Sequence, residues 1–235
     1  MTHENASPEG ALVPSRPQRW GAGAVPSYEA IAEQYAAQYL DELGGRPFDR
    51  DMLDRFAATV RGRGRVCNLG YGPGQVARYL AGRGVDAFGI DASTPMAATA
   101  RRFNPKLDLG QGDFFAFPLA DGALAGIAAF YCLIHCARAE LAHGVAATHR
   151  VLLPGGRLFM AVHAAEGEVG RGEMYGQRVA LVATLSSEDE VRAALTSAGF
   201  RIDELVTREP YPLEYQGRRI YPTAISAEKK RGLSS

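Results

Sequence analysis

Apolar positions follow two alternating patterns from residue 65 onward. Short apolar runs, typical of buried strands, span 65–69, 87–90, 107–111, 126–131 and 157–163. Segments with apolar residues three and four positions apart, typical of helices, lie at 75–82, 95–103 and 141–152. Strands and helices that alternate at this spacing predict right-handed crossovers, and therefore a parallel sheet with helices on both faces.

The carboxyl-terminal part follows a different pattern. A helix predicted at 188–198 ends at Gly199, and strand-like runs at 201–207 and 218–226 come next. The gap of about ten residues between these runs is too short for a crossover helix, which predicts an antiparallel hairpin. Because proline removes a ladder donor, we expect a bulge or an early strand end at Pro222.

The amino-terminal part predicts a flexible arm followed by two helices. Residues 1–26 are rich in Pro, Gly, Ala and Ser and lack apolar periodicity, as does the short tail at 228–235. We expect a first helix capped by Ser27 and running to about residue 43, and a second at 49–60. The first carries tyrosines at 28, 35 and 39 along one face. Two interpretations stay open for that stripe, which are core packing and a lid that closes over a ligand.

Composition narrows the class of protein. The 235 residues are enough for one domain, predicted at 27–227, and the 26 basic residues balance 26 acidic ones. Without a basic excess we expect no nucleic-acid partner. Residues 1–26 resemble neither a signal peptide nor a membrane anchor, so we expect a cytoplasmic protein with no membrane partner. The three cysteines, Cys67, Cys132 and Cys136, lie in apolar segments and are expected to be buried thiols, with no metal bound.

A glycine-rich loop follows the first predicted strand of the sheet. Gly70, Gly72 and Gly74 separate that strand from a helix, and positions without side chains let a nucleotide approach the backbone there. The third glycine comes one residue earlier than in the Gly-x-Gly-x-x-Gly pattern of dinucleotide folds, and position 75 is Gln. No Gly-Lys-Ser/Thr follows, which excludes a Walker loop.

Two further groups follow the next strands. Asp91 ends the second strand and can accept hydrogen bonds from a ribose diol, or it can cap the following helix. Gly112, Asp113 and Phe114 end the third strand, where a carboxylate and an aromatic ring suit an adenine. Because the carboxyl ends of parallel strands meet at one edge of a sheet, these groups predict a nucleotide site there.

On these residues the sequence resembles the class I S-adenosylmethionine-dependent methyltransferases, particularly small-molecule enzymes common in actinobacteria. The matching runs are NLGYGPGQVARYL, FGIDASTPM, GQGDFFAFPLADG, FYCLIH and HRVLLPGGRLFMAV. The resemblance implies a Rossmann-like three-layer α/β sandwich with a seven-stranded, mostly parallel sheet and a C-terminal antiparallel hairpin. It also implies methyl transfer from S-adenosylmethionine, with S-adenosylhomocysteine as product, to an O, N or C nucleophile of a small molecule such as a natural-product intermediate.

The resemblance also assigns residues to the cofactor. The glycine loop is expected beside its methionine part, Asp91 at its ribose, and Asp113 with Phe114 at its adenine. The remaining residues expected around the cofactor are Tyr28, Tyr35, Asn68, Tyr71, Ala92, Ser93, Met96, Gly112 and Tyr131.

Two residues depart from the family pattern. The family has a carboxylate, which typically helps receive the cofactor's ammonium group, where this chain has Asn68. An amide lacks that charge assistance, so the departure predicts weaker cofactor binding. The family usually has a small residue or Cys at position 71, and Tyr71 either fills space beside the methionine part or packs outward.

Two histidines are candidate general bases, and two segments are candidates for covering the acceptor. His135 follows the fourth strand and is a candidate general base, with His163 as a second candidate, although either can be a packing residue. A helical lid at 27–60 and a cap segment at 164–185 are expected over the acceptor, with Ile134, Glu168 and Tyr175 as candidate acceptor contacts.

Two alternatives stay open for the function. One is a repurposed or non-catalytic fold that binds S-adenosylmethionine, and the other is an NAD-dependent oxidoreductase, which Gln75 and the lack of a Tyr-x-x-x-Lys dyad disfavour. The oligomeric state, monomer or homodimer, is not specified by the sequence.

Overall fold

The fold is seen in a computed structural model that describes residues 23–117, 119–212, 214 and 217–226, with residue 114 described by its backbone alone. The tail predicted at 228–235 and residues 1–22 of the predicted flexible arm lie outside the described residues. In the part of the chain that is described, no helix combines the length and the apolar character needed to cross a membrane.

A seven-stranded sheet forms the centre of the molecule, in the order β3-β2-β1-β4-β5-β9-β8. Its first five strands are parallel, as predicted. Their bounds are β1 Val66–Leu69, β2 Ala87–Asp91, β3 Asp108–Gln111, β4 Leu124–Phe130 and β5 Leu152–Ala164. The order reverses between β1 and β4, which is where open α/β sheets bind their ligands.

The predicted carboxyl-terminal hairpin consists of β8, Phe200–Arg208, and β9, Arg218–Ser226. β9 runs antiparallel to both β5 and β8. Of the two alternatives expected at Pro222, the early strand end is wrong, because β9 continues through it to Ser226. A register irregularity does occur beside it, but in the partner strand β8, where the pairing shifts between Ile202 and Glu204.

Helices cover both faces of the sheet and complete the predicted three-layer sandwich. One apolar cluster joins the sheet to α5 and α6 through Val145 and Leu195, and another joins it to α2 and α3 through Phe56 and Leu80. The helix bounds are α1 Ala24–Tyr39, α2 Pro47–Val60, α3 Gln75–Ala81, α4 Thr94–Phe103, α5 Leu141–Val151 and α6 Glu188–Ser197.

The first helix differs from its prediction at both ends. It begins at Ala24, so Ser27 lies inside the first turn and is not its cap. The Ser27 hydroxyl instead accepts the backbone N–H of Ala180, 2.8 Å away, which ties α1 to a distant segment. The α-helix ends at Tyr39, and a separate 3-10 turn at Glu42–Gly45 follows.

That distant segment is a two-stranded antiparallel hairpin made of β6, Glu168–Met174, and β7, Gln177–Thr184. It packs against α1 through an apolar cluster that contains Ile31 and Leu181. We call α1 and the β6–β7 hairpin together the roof, because both lie over the carboxyl end of the sheet. The sequence predicted a covering segment here but not its strands.

Candidate functional site

A cavity of about 690 Å³ lies under the roof, at the carboxyl ends of β1, β2 and β4. Its volume falls within the range of about 300–1,000 Å³ that is usual for ligand sites. Gly70 and Asp91 line the sheet side, and Tyr28, Tyr35 and Leu181 line the roof side. The cavity therefore lies between the predicted nucleotide-binding edge and the predicted covering segments.

The glycine loop after β1 packs closely on the turn that follows β4. A Cβ at Gly70 would lie 2.3 Å from Cys132 Cβ, and the φ angle of Gly70 is +58°. Both facts require glycine at this position. Gly70 and Gly72 line the cavity, so a ligand there meets backbone with no side chain in between.

Asp91 is held at the end of β2 by two backbone donors. Its Oδ2 accepts the N–H of Gly72 at 3.0 Å and its Oδ1 accepts the N–H of Ser93 at 2.9 Å. Burial raises the pKa of this carboxyl above its usual range, while these backbone N–H groups oppose the rise. A carboxylate has about four acceptor positions, so Asp91 retains capacity for two hydroxyl donors from the cavity.

His135 and Tyr28 form a hydrogen-bonded pair on the cavity wall. His135 Nδ1 lies 2.9 Å from the carbonyl oxygen of Val182, which can only accept, so Nδ1 carries the proton. Nε2 then accepts from the Tyr28 hydroxyl at 2.8 Å. Burial lowers the pKa of His135 and raises that of Tyr28, so both are neutral at pH 7.

Tyr131 follows β4 with a φ angle of +56°, which is uncommon for a residue with a side chain. Its ring stacks on His163, and its hydroxyl lies 2.7 Å from that of Tyr221. Tyr221 in turn donates to the fully buried Asp49 at 2.5 Å. Burial, together with the charge of Arg219, lowers the pKa of His163 to about 3, so this second candidate base is a poor proton acceptor at neutral pH.

Three polar side chains that the sequence analysis did not assign to the site lie at the other end of the glycine loop. Glu42 Oε1 accepts from Gln75 Nε2 at 2.8 Å, and Glu42 Oε2 pairs with Arg46 at 3.0 Å. All three line the cavity. Gln75 directly follows the loop, and that position was the one signal in the sequence that could have found the group.

The structure brings most of the predicted site residues together. The predicted residues that line the cavity are Tyr28, Tyr35, Gly70, Tyr71, Gly72, Asp91, Ala92, Ser93, Met96, Tyr131, Ile134 and His135. The described residues of the prediction that are absent from its lining are Asn68, Gly74, Gly112, Asp113, Glu168 and Tyr175. The side chain of Phe114 lies outside the described part of the chain.

Among those outside the lining, Asp113 and Tyr175 have other contacts. Asp113 accepts the N–H of Phe115 at 3.0 Å, so it caps the turn that follows β3. The Tyr175 hydroxyl, at the tip of the β6–β7 hairpin, donates to Gln38 on α1. Tyr175 therefore joins the two halves of the roof.

Asn68 is placed differently from the expectation that it meets the cofactor's ammonium group. It is 1% exposed, and both ends of its amide are used inside the fold. Nδ2 donates to the carbonyl of Ala128 on β4, and Oδ1 accepts the N–H of Ala77 on α3, each at 3.1 Å. The amide therefore joins two strands to a helix behind the glycine loop.

The Tyr71 side chain packs behind the glycine loop. Its ring lies against Gly89 on β2 and Leu109 on β3, in a small apolar cluster with α3 and α4. Its hydroxyl is buried without a hydrogen-bond partner among the described residues. The side chain thus fills the layer behind the loop, and the residue also forms part of the cavity wall.

Comparisons with known proteins agree with this arrangement. Residues 66–156 match a family described as a methyltransferase domain. An uncharacterized methyltransferase of Geobacillus kaustophilus is 30% identical over 138 residues, and the match covers 57% of this chain and 61% of that protein. The chain thus spans about three fifths of the length of that relative.

Solved structures share the fold at low sequence identity. An S-adenosylmethionine-dependent methyltransferase from Methanosarcina mazei matches with a TM-score of 0.68 at 15% identity, covering 74% of this chain and 98% of that one. DhpI in complex with S-adenosylhomocysteine matches with a TM-score of 0.67 at 23% identity, covering 87% and 96%.

Residues 66–156 match a methyltransferase domain, and the fold is that of solved structures of S-adenosylmethionine-dependent methyltransferases. The DhpI structure holds S-adenosylhomocysteine, and the cofactor predicted for this chain is S-adenosylmethionine. The residues present fit it, because Asp91 has spare acceptor positions for a ribose and Gly70 leaves room for close approach.

Proposed function

We propose that the protein transfers a methyl group from S-adenosylmethionine to a nucleophile of a small molecule, at an O, N or C atom that loses a proton. When bound, the cofactor supplies an electrophilic methyl group on a sulfonium. The observation that carries the proposal is the Tyr28–His135 pair, which lies in the same cavity as Asp91 and the glycine loop.

The pair provides a route for the acceptor's proton. An acceptor hydroxyl or amine that hydrogen-bonds to the Tyr28 oxygen can pass its proton there as Tyr28 passes its own to His135 Nε2. The proton ends on the His135 imidazole. The Val182 carbonyl, which accepts from Nδ1, stabilises the resulting positive charge. Because burial raises the pKa of Tyr28, its hydroxyl stays protonated and relays the proton, rather than acting as a phenolate base.

A small acceptor is supported by the size and lining of the site. The roof lies over the cavity of about 690 Å³, and aromatic and apolar side chains face its interior, including Tyr35, Met174 and Leu181. The balanced charge of the chain gives no long-range attraction for a polyanion. In-line displacement needs close positioning and exclusion of water, and the apolar lining of a cavity of this size favours both for a small acceptor.

Calorimetry with S-adenosylmethionine, S-adenosylhomocysteine and NAD tests the first half of the proposal. We expect both adenosyl ligands to bind and NAD to give no heat. A panel of phenols, amines and carbon acids with methyl-labelled S-adenosylmethionine tests the second half. Binding of NAD alone would exclude the proposal, and cofactor binding with no labelled product from any class of acceptor would favour a non-catalytic fold.

A further inference from the structure

We propose that Glu42 and Gln75 form the seat for the α-ammonium group of S-adenosylmethionine, in place of the carboxylate that this chain lacks at position 68. The inference deepens the proposed function and rests on it, since both require the adenosyl ligand to bind in the cavity. It assigns a binding role to residues on the 3-10 turn after α1 and at the start of α3.

The first observation concerns the side-chain oxygen of Gln75, a buried hydrogen-bond acceptor. Gln75 is 8% exposed, and its Nε2 donates to Glu42. Its Oε1 is buried and has no hydrogen-bond partner within the described part of the chain. A buried amide oxygen left unpaired costs free energy, which a donor supplied by a ligand would recover.

The second observation is a carboxylate with spare capacity on the same wall. The Glu42 side chain is 10% exposed and lines the cavity. Its two oxygens each have one partner, Gln75 and Arg46, which leaves about two of four acceptor positions open. Despite these partners, burial raises the pKa of Glu42, so its negative charge is incompletely compensated and a nearby cation would be stabilised.

Glu42 and Gln75 also lie beside the glycine loop. Gln75 directly follows Gly74, and both Gly70 and Gly72 line the same cavity as Glu42. A carboxylate and an unpaired amide oxygen together match a primary ammonium, which has three donors. Asn68 cannot supply this contact, because both ends of its amide are bonded within the fold. Arg46 bridges Glu42 and Glu214, so it holds the Glu42 carboxylate in position.

The test measures how well the protein distinguishes ligands that differ by the amino group. Dissociation constants are measured for S-adenosylhomocysteine, its deaminated analogue and 5′-methylthioadenosine, which lacks the whole amino-acid end. The unaltered protein should bind S-adenosylhomocysteine about ten- to a hundredfold more tightly than the deaminated analogue. In Glu42→Gln that ratio should fall to within a few fold of one, while the affinity for 5′-methylthioadenosine stays unchanged.

Two further variants keep the result interpretable. Glu29→Gln removes one negative charge from an exposed position on α1 and should leave all three constants unchanged. Gln75→Met removes the unpaired oxygen but keeps Glu42, and it should reduce the ratio part of the way. If Glu42→Gln loses 5′-methylthioadenosine binding through misfolding, the ratio in Gln75→Met decides.

The outcomes separate the two proposals. An unchanged ratio in both Glu42→Gln and Gln75→Met, with the adenosyl ligands still bound, would overturn the ammonium seat alone. Failure of the unaltered protein to bind any of the three ligands would overturn the proposed function and the seat with it.

Discussion

Asn68 Oδ1 accepts the backbone N–H of Ala77 at 3.1 Å, which places an amide from β1 at the first turn of α3. The other end of the same amide donates to Ala128 on β4. One side chain therefore satisfies two buried backbone groups on different elements. This use differs from the weakened cofactor contact that the family pattern suggested.

Asn68→Asp should consequently reduce stability and leave cofactor affinity unchanged. The substitution removes the donor to Ala128 and sets a carboxylate oxygen against that carbonyl in a buried site. We expect the free energy of unfolding to fall by about 1–3 kcal/mol, the usual cost of a buried group left unpaired. Urea unfolding and calorimetry with S-adenosylhomocysteine check the two parts. Tighter cofactor binding without loss of stability would restore the original interpretation.

Tyr71 depends on the absence of a side chain at Gly89. A Cβ at Gly89 would lie 2.4 Å from Tyr71 Cδ1 and 2.9 Å from Leu109 Cδ2. Gly89→Ala should therefore lower the free energy of unfolding by about 1–3 kcal/mol, as overpacking does. In a Tyr71→Cys background the same change should cost less, because the ring is gone. Equal costs in both backgrounds would mean that the ring does not depend on Gly89.

The hydroxyl of Tyr71 gives a separate prediction. It is buried without a partner among the described residues, so its removal discards an unsatisfied polar group. Tyr71→Phe should raise the free energy of unfolding by about 1 kcal/mol. A lower melting temperature for this variant would reveal a hydrogen bond that the ring hydroxyl makes in solution.

His135→Gln and Tyr28→Phe should both lower turnover while cofactor binding persists. Loss of a positioned base costs about 10²- to 10⁴-fold in rate, and loss of the relay should act in the same direction. His143→Gln, at an exposed site on α5, and Tyr79→Phe, away from the cavity, are the matched controls. Full activity in both site variants would remove the pair from the mechanism.

The same pair predicts a pH dependence. The base must be neutral to accept a proton, and burial lowers the pKa of His135 below its ordinary value of 6.5. Turnover should therefore stay level as the pH falls from 8 to 6.5 and decline only below that. A rate profile measured in saturating cofactor checks this, and an acid limb above pH 6.5 would point to another group.

Glu214 should contribute to stability against acid. Burial opposes its ionisation, but hydrogen bonds from Arg208 prevail and lower its pKa from 4.5 to about 2. The stability it provides is present above pH 4.5 and is lost as the pH falls toward 2. Glu214→Gln should be less stable at pH 7 and lose less on acidification through that window. Glu209→Gln, which is exposed, is the control, and the same acid dependence in both variants would contradict the assignment.

The parts of the fold that were predictable have strong local signals. The strand at β2 was predicted to within one residue because a buried parallel strand has a short apolar run between polar segments. The β6–β7 hairpin was not, since most of β6 is exposed and shows no alternation for a pattern to detect. The strand start at Leu152 was also missed, because it depends on pairing with Leu124 across the sheet.

The residues of the candidate site were likewise predictable only where a local sequence signal marks them. Asp91 and the glycines were found because the end of a parallel strand fixes where its next residues lie. Glu42 and Gln75 are 33 positions apart and meet only through the packing of the folded chain, so no spacing rule connects them. For Asn68 the residue was noticed, but only the structure gives the direction of its side chain.

The roof lies outside the stretch that matches the methyltransferase family. That match covers residues 66–156, whereas α1 ends at Tyr39 and β6 begins at Glu168. Under our proposals, the donor contacts lie in that stretch apart from Glu42, whereas the roof supplies Tyr28 and apolar side chains to the acceptor. New acceptors could then evolve by exchange of two surface segments on an unchanged donor platform, and a chimera that carries the roof of another enzyme should inherit that enzyme's acceptor preference.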